Sequence, residues 1–293
     1  MCALEITPPE EIPFPEGYEK INPFAGRLTR LDEFLSRKHT RDWIFEGLCC
    51  RGDLMAIYGQ AKAGKSFTAI DLALCAATGT TWCEHRFRCP EPRTVVYCFG
   101  EGDGGMQARW RAATAWHERA SDSEIGLEAH RRITILDIVP KLFVRSLPGE
   151  DGVPGSARQF VRTIRSERGD ERVDLVVIDT LNRASIGAEE NSARDMGIIL
   201  EAAGLIQKEL GAAVLLIHHS DKQGRGMRGS GALRAAVDVA LKVEESGNGR
   251  HLLSCDAIKD AVRFEPIGFY LWELEDSAAI NWSSQETPGE RAL

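Results

Sequence analysis

No uninterrupted apolar run in this 293-residue chain approaches the ~18 residues that a membrane-spanning helix needs, so the polypeptide is not expected to cross a bilayer. The start, Met1-Cys2-Ala3-Leu4-Glu5-Ile6, leads into acids and prolines, without the basic segment and apolar h-region of a secretory signal. A cytoplasmic location is expected. Excess positive charge is also missing. The formal net charge of −8 excludes a protein that coats nucleic acid with its whole surface, because phosphate binding needs clustered Lys and Arg. Any such contact must be local, as at the pore of a ring whose outer surface stays acidic. The chain has no internal repeat. It also lacks a C-x-x-C pair to complete a metal knuckle around Cys83-Glu84-His85-Arg86-Phe87-Arg88-Cys89, which alone offers three Cys/His ligands at no established zinc spacing. Cys49, Cys50, Cys75, Cys98 and Cys255 lie in or beside apolar runs, as buried reduced thiols do.

What is present is an ordinary globular composition, 43% hydrophobic and 27% charged, in a length that suits one large α/β domain with appendages. Residues 1–40 carry Pro8, Pro9, Pro13, Pro15 and Pro23 and read as an extended N-terminal arm with little core. Residues 41–275 read as the main domain and 276–293 as a C-terminal tail. Strands are expected at 54–58, 94–99, 133–137, 175–178, 213–217, 239–243, 252–258 and 269–274, with helices at 67–77, 105–118, 157–167 and 192–210. Strands alternating with helices, then strands in close succession, predict a mostly parallel central sheet extended by antiparallel C-terminal strands.

The motif with the most positions filled is Gly59-Gln60-Ala61-Lys62-Ala63-Gly64-Lys65-Ser66, a complete G-x-x-x-x-G-K-[ST] phosphate loop after an apolar run. Its glycines let successive N–H groups face a phosphate, and the helix opening at Phe67 adds its positive end. Lys65 reaches the β/γ oxygens and Ser66 can hold Mg²⁺. The nucleotide-contacting segment therefore runs from Gly59 to Phe67. Leu175-Val176-Val177-Ile178-Asp179 is an apolar strand ending in a carboxylate, the form of a Walker B strand, so Asp179 is the second candidate Mg²⁺ ligand. Strand-terminal Asp residues also serve as turn formers and caps. Glu101, in Gly100-Glu101-Gly102-Asp103, follows another strand and is placed to act as a base or to orient water; an exposed turn acid is the alternative, and Asp103 the local competitor. Leu215-Leu216-Ile217-His218-His219 ends in two histidines that must point to opposite faces, so one can sense a γ-phosphate. His219 is the choice and His218 the alternate. The loop 221–231 is glycine-rich and basic, with Lys222, Arg225 and Arg228 able to meet a nucleic-acid backbone or a neighbour's nucleotide; it also reads as a solvated flexible loop.

This ordered set, phosphate loop, Gly-Glu-Gly at 100–102, Ile-Asp-Thr-Leu at 178–181, His-His at 218–219 and Arg-Gly-Ser at 228–230, resembles the RecA-like ATPases. It is most similar to hexameric replicative helicases of the plasmid RepA type and related phage and mobile-element ATPases, over about residues 43–269. The resemblance implies ATP and Mg²⁺ as cofactors. It makes Lys65 and Ser66 the phosphate and metal ligands, Glu101 the catalytic base, Asp179 the Walker B acid and His219 the sensor. It also implies that Arg228 is a finger reaching the ATP of an adjacent subunit and that Lys259 is a second basic residue presented to that site. In DnaB-type relatives another basic residue lies two positions on, where this chain has Ala261; Arg263 substitutes only if the strand turns or bulges. The implied assembly is a homo-hexamer around single-stranded DNA, with pore loops near Asn182-Arg183 and 222–227, and a replication initiator or primase as a further partner. Those loops have no aromatic platform, so salt-sensitive contact with the phosphate backbone is expected. The resulting reading is a DNA-stimulated ATPase that unwinds. A non-motor ATPase acting as a loader or assembly switch is the alternative, and a small-molecule kinase ranks last.

Overall fold

Strands that are buried on both faces need a cover on both sides, and here helices supply it. The computed structural model describes residues 28–36, 41–100, 103–121, 125–144, 155–169, 171–221, 223–224, 226–229, 231–259 and 261–282. The chain divides into two units, Met1–Arg41 and Asp42–Leu293. In the first, α1 (Leu31–Ser36) is a short helix in a proline-free stretch of the expected arm, and its Leu31, Phe34 and Leu35 are exposed.

The second unit opens with an antiparallel pair, β1 (Trp43–Phe45) and β2 (Cys49–Cys50), whose Ile44 and Phe45 are fully buried. There follow β3 (Leu54–Gly59), α2 (Lys65–Thr78), β4 (Val95–Phe99), α3 (Asp103–Ser121), α4 (Leu127–Arg131), β5 (Ile133–Leu136) and α5 (Ala157–Arg168). Next come β6 (Leu175–Asp179), α6 (Leu181–Ala184), α7 (Ala193–Leu210), β7 (Ala213–His219) and α8 (Gly231–Ala236). The chain then turns antiparallel through β8 (Val239–Gly247), β9 (Arg250–Ile258), β10 (Ile267–Leu274) and β11 (Ser277–Asn281). The nine-stranded sheet has the order β11-β10-β9-β8-β3-β7-β6-β4-β5. From β8 to β5 its neighbours run parallel; from β8 to β11 they alternate. The fold is the expected one.

Local chemistry sets the helix limits. Ser156 and Ser192 cap α5 and α7, their hydroxyls accepting from the backbone N–H of Gln159 and Asp195. α7 then buries Met196, Ile199, Ala203 and Ile206 at spacings of three and four. Period-two alternation in the strands splits the core in two. Met55, Ile57, Tyr97, Val177 and Ile217 face α2, whereas Leu54, Ala56, Val96, Val176 and Leu216 face α5 and α7. β11 departs from the sequence reading, which put residues 276–293 in a tail. Ala278, Ala279 and Ile280 are buried, and the sheet continues to Asn281. The seven described cysteines are free thiols, five of them buried. No helix among the described residues is long and apolar enough to cross a membrane.

Candidate nucleotide site

The register of the sheet brings the candidate residues to one edge. Gly59 pairs with His219, Ile217 with Asp179, and Asp179 with Phe99, so the ends of β3, β7, β6 and β4 lie side by side. In parallel α/β sheets this carboxyl edge is where ligands bind. β3 delivers the chain into the loop, and α2 starts at Lys65 behind Gly64, whose φ of 94° is one that L side chains rarely adopt. No side chain caps α2, which leaves its N-terminal N–H groups and positive end for an anion. Lys65 is buried inside the turn, its Nζ donating to the Gln60 carbonyl at 2.7 Å. Burial pulls its pKa below the ordinary lysine value, against the pull of the Asp179 charge.

Asp179 ends β6 only 4% exposed. Ser66 donates a hydrogen bond to its carboxylate, and Tyr97 Oη donates to Oδ2 at 2.9 Å. Burial raises the carboxyl above its usual range, opposed by these two hydrogen bonds and by the charges of Arg109 and Lys65. Arg109 reaches the site from α3, its guanidinium 5.2 Å from the centre of the Phe67 ring. Serine hydroxyl and carboxylate in contact beside an ammonium suit Mg²⁺, which takes hard oxygen donors, one or two carboxylates and phosphate. Two further hydroxyls at these tips, Thr180 Oγ1 and Ser220 Oγ, are buried with no partner among the described residues. A polar occupant would satisfy them.

The two histidines divide as alternation requires. His219 follows Leu215 and Ile217 on the face of α2 and Asp179; His218 follows Leu216 on the other. The buried His218 ring places Nε2 2.9 Å from the Arg228 carbonyl, and burial lowers its pKa below the ordinary histidine value. The Arg228 N–H donates to the His219 carbonyl at 2.9 Å, so the returning loop is fastened to both histidines. Within the loop, Gly224 N–H donates to the Asp221 carbonyl and Asp221 N–H to the Gly226 carbonyl. The Arg228 side chain is 54% exposed, and its Nε lies 2.6 Å from Glu190 Oε2.

A family model described as an AAA domain matches residues 22–225. The chain belongs to this AAA domain family. No curated protein matches it in sequence. Among solved structures it is similar to one described as an ATPase domain, with a TM-score of 0.49 and 13% identity over 75% of this chain and 81% of that one. The RadB recombinase gives 0.47 and 15%, covering 75% and 87%. The KaiC-like protein PH0186 from Pyrococcus horikoshii OT3 gives 0.48 and 15%, covering 82% and 94%.

In this AAA domain protein the sheet edge gathers Gly59 to Phe67, Asp179 and His219. Glu101, Lys222 and Arg225 lie outside the described residues, as does the side chain of Asp103. Asn182 and Arg183 are exposed on α6, just beyond Asp179. Lys259 is not brought to this site. It lies one residue past β9, not on the strand, its Nζ 2.8 Å from Asp238 Oδ1. Asp238 Oδ2 in turn accepts from the Leu54 N–H at the start of β3. That is the opposite end of a six-residue strand, about 20 Å from the chain's own loop. Arg263, the substitute for the basic residue missing at Ala261, is exposed in the irregular segment after β9. Tyr97, Arg109, Thr180 and Ser220 were not singled out from sequence. The available signal was a hydroxyl on an apolar strand, two residues before the end that pairs with Asp179.

Proposed function

We propose that this AAA domain protein is an ATP-hydrolysing, single-stranded-DNA-dependent ring motor, a replicative helicase of a plasmid, phage or mobile element. The observation that carries the ATPase reading is the contact of Ser66 with Asp179 beside the buried Lys65, at the carboxyl edge of the sheet. In this reading the N–H groups of the loop and of the first turn of α2 hold the β-phosphate, and Lys65 leaves the Gln60 carbonyl for the β/γ oxygens. Ser66 and Asp179 hold Mg²⁺, which, when bound, neutralises charge on the transferred phosphoryl group. Glu101 accepts the proton of the attacking water. His219 contacts the γ-phosphate and passes its loss to the 221–229 loop through the Arg228 backbone. The ring, the DNA in its pore and a replication initiator or primase partner rest on the resemblance and on a basic loop next to the sensor.

The test is ATP turnover with and without single-stranded DNA, followed by unwinding of a forked duplex. Stimulated turnover with unwinding is expected, and turnover without unwinding at any salt overturns the motor in favour of a loader or switch. Lys65→Ala is expected to weaken nucleotide binding about tenfold or more, the loss of a charge-assisted contact. Glu101→Gln is expected to bind ATP and to stop hydrolysis; normal turnover would move the base role to Asp103.

A further inference from the structure

At the end of α2 remote from the phosphate loop, Asp71, Cys75 and His117 each offer a ligand atom, all within 4.8 Å of one another. Asp71 and Cys75 are one helical turn apart and share a face of α2; His117 comes from α3. We propose that these three side chains form a binding site for a borderline-soft divalent cation of the zinc class, separate from the Mg²⁺ position at the nucleotide site. Cys75 is ten residues beyond Lys65, about 15 Å along the helix.

The donor set selects the metal. A thiolate, an imidazole and a carboxylate suit zinc, whereas Mg²⁺ prefers oxygen alone. Once Cys75 has released its proton to solvent, two anionic ligands balance a double positive charge, so a buried ion carries no net charge. The edge between His117 and Asp71 needs little change. His117 Nε2 lies 2.7 Å from Asp71 Oδ1, and tetrahedral zinc holds nitrogen and oxygen ligands about 3.3 Å apart. The other oxygen, Oδ2, accepts from Trp82 Nε1 at 3.0 Å and Trp282 Nε1 at 2.8 Å. Two indoles from separate parts of the chain thus fix the carboxylate and leave Oδ1 turned to His117, the outer support that ligating carboxylates require. All three residues line a cavity of about 850 Å³, which gives an ion a way in and a fourth ligand, such as water, a place. Cys83 and His85 of the segment marked in the sequence line the same cavity, with the His85 ring engaged with Thr81 at 2.9 Å. An ion here fastens α3, which begins two residues after Glu101, to the helix that carries the phosphate loop.

The test uses the full chain, stripped with a chelator and reloaded with Zn²⁺ or Co²⁺. One zinc per chain by elemental analysis is expected. Co²⁺ is expected to give a visible tetrahedral band and a near-ultraviolet thiolate-to-cobalt band. Cys75→Ser and His117→Ala should each lower affinity at least tenfold, while Cys255→Ser and Lys65→Ala retain wild-type stoichiometry. A wild-type chain without stoichiometric zinc, or a cobalt spectrum without the thiolate band, overturns the site whether or not the variants fold. Unchanged affinity in Cys75→Ser and His117→Ala overturns it equally, and none of these readouts depends on ATP turnover.

Discussion

Tyr97 holds Asp179 where the proposed function needs a metal-binding carboxylate, and it does so against the cost of burial. A buried carboxyl with a raised pKa binds its proton more tightly folded than unfolded. Stability from this group therefore rises as pH falls through the raised value toward the ordinary carboxylate value, while the ionised form at neutral pH costs stability. The proposed function runs the other way, because Mg²⁺ binding would need the carboxylate. Two outcomes follow at this residue. Asp179→Asn is expected to stop hydrolysis and to melt no lower than the parent without nucleotide; a clear fall in melting temperature would mean the carboxylate is a net stabiliser. Tyr97→Phe removes a hydrogen bond that lowers the Asp179 pKa, so the acid limb of the pH–rate profile moves to higher pH and the Mg²⁺ requirement rises severalfold. An unchanged limb would take Tyr97 out of this role. Lys65, Ser66 and Asp179 were legible because their motif spacing is local. Tyr97 and Arg109 were not, since Tyr97 meets Asp179 only through strand pairing and Arg109 comes over the Phe67 ring only through the return of α3.

Among the elements, the eight strands and four long helices read from sequence are all present because each carries its own periodicity. β11 escaped for two physical reasons. Its Ser-Ala-Ala-Ile-Asn run has little β preference, and the two-residue turn before it uses Glu275 at a φ of 55° in place of the Asn-Gly or Asp-Gly that marks such turns. Pairing with β10 and cover from α3 make it a strand. Contact between elements also explains one glycine better than the motif does. A Cβ at Gly59 would lie 2.0 Å from the Val243 carbonyl oxygen of β8, so the first loop glycine is where β8 crowds the end of β3. Gly59→Ala is expected to push these strands apart and to destabilise the chain by about 1–3 kcal/mol, as other overpacked positions do. Denaturant unfolding without nucleotide measures it, and a loss well under 1 kcal/mol would show that β8 yields freely there.

At the scale of the whole molecule, the decisive question is whether Arg228 serves its own chain or another. Its backbone is fixed to both histidines, but its guanidinium is half-exposed and held by Glu190, a pair that in this setting contributes about 0–1 kcal/mol. A guanidinium so cheaply released, on a loop fastened to the expected γ-phosphate sensor, fits a group that acts across a subunit boundary. Arg228→Ala should then bind ATP almost normally and lose about 10³-fold or more in hydrolysis, the usual range for such an arginine. Mixed with Lys65→Ala subunits, which are inactive alone but keep Arg228, it should regain turnover above either variant by itself, because intact loops then meet intact arginines. Sedimentation with ATP and single-stranded DNA checks that mixed assemblies form. Co-assembly without regained turnover would place Arg228 in its own chain's site, and a monomer under all conditions would remove the finger, the pore and the motor together.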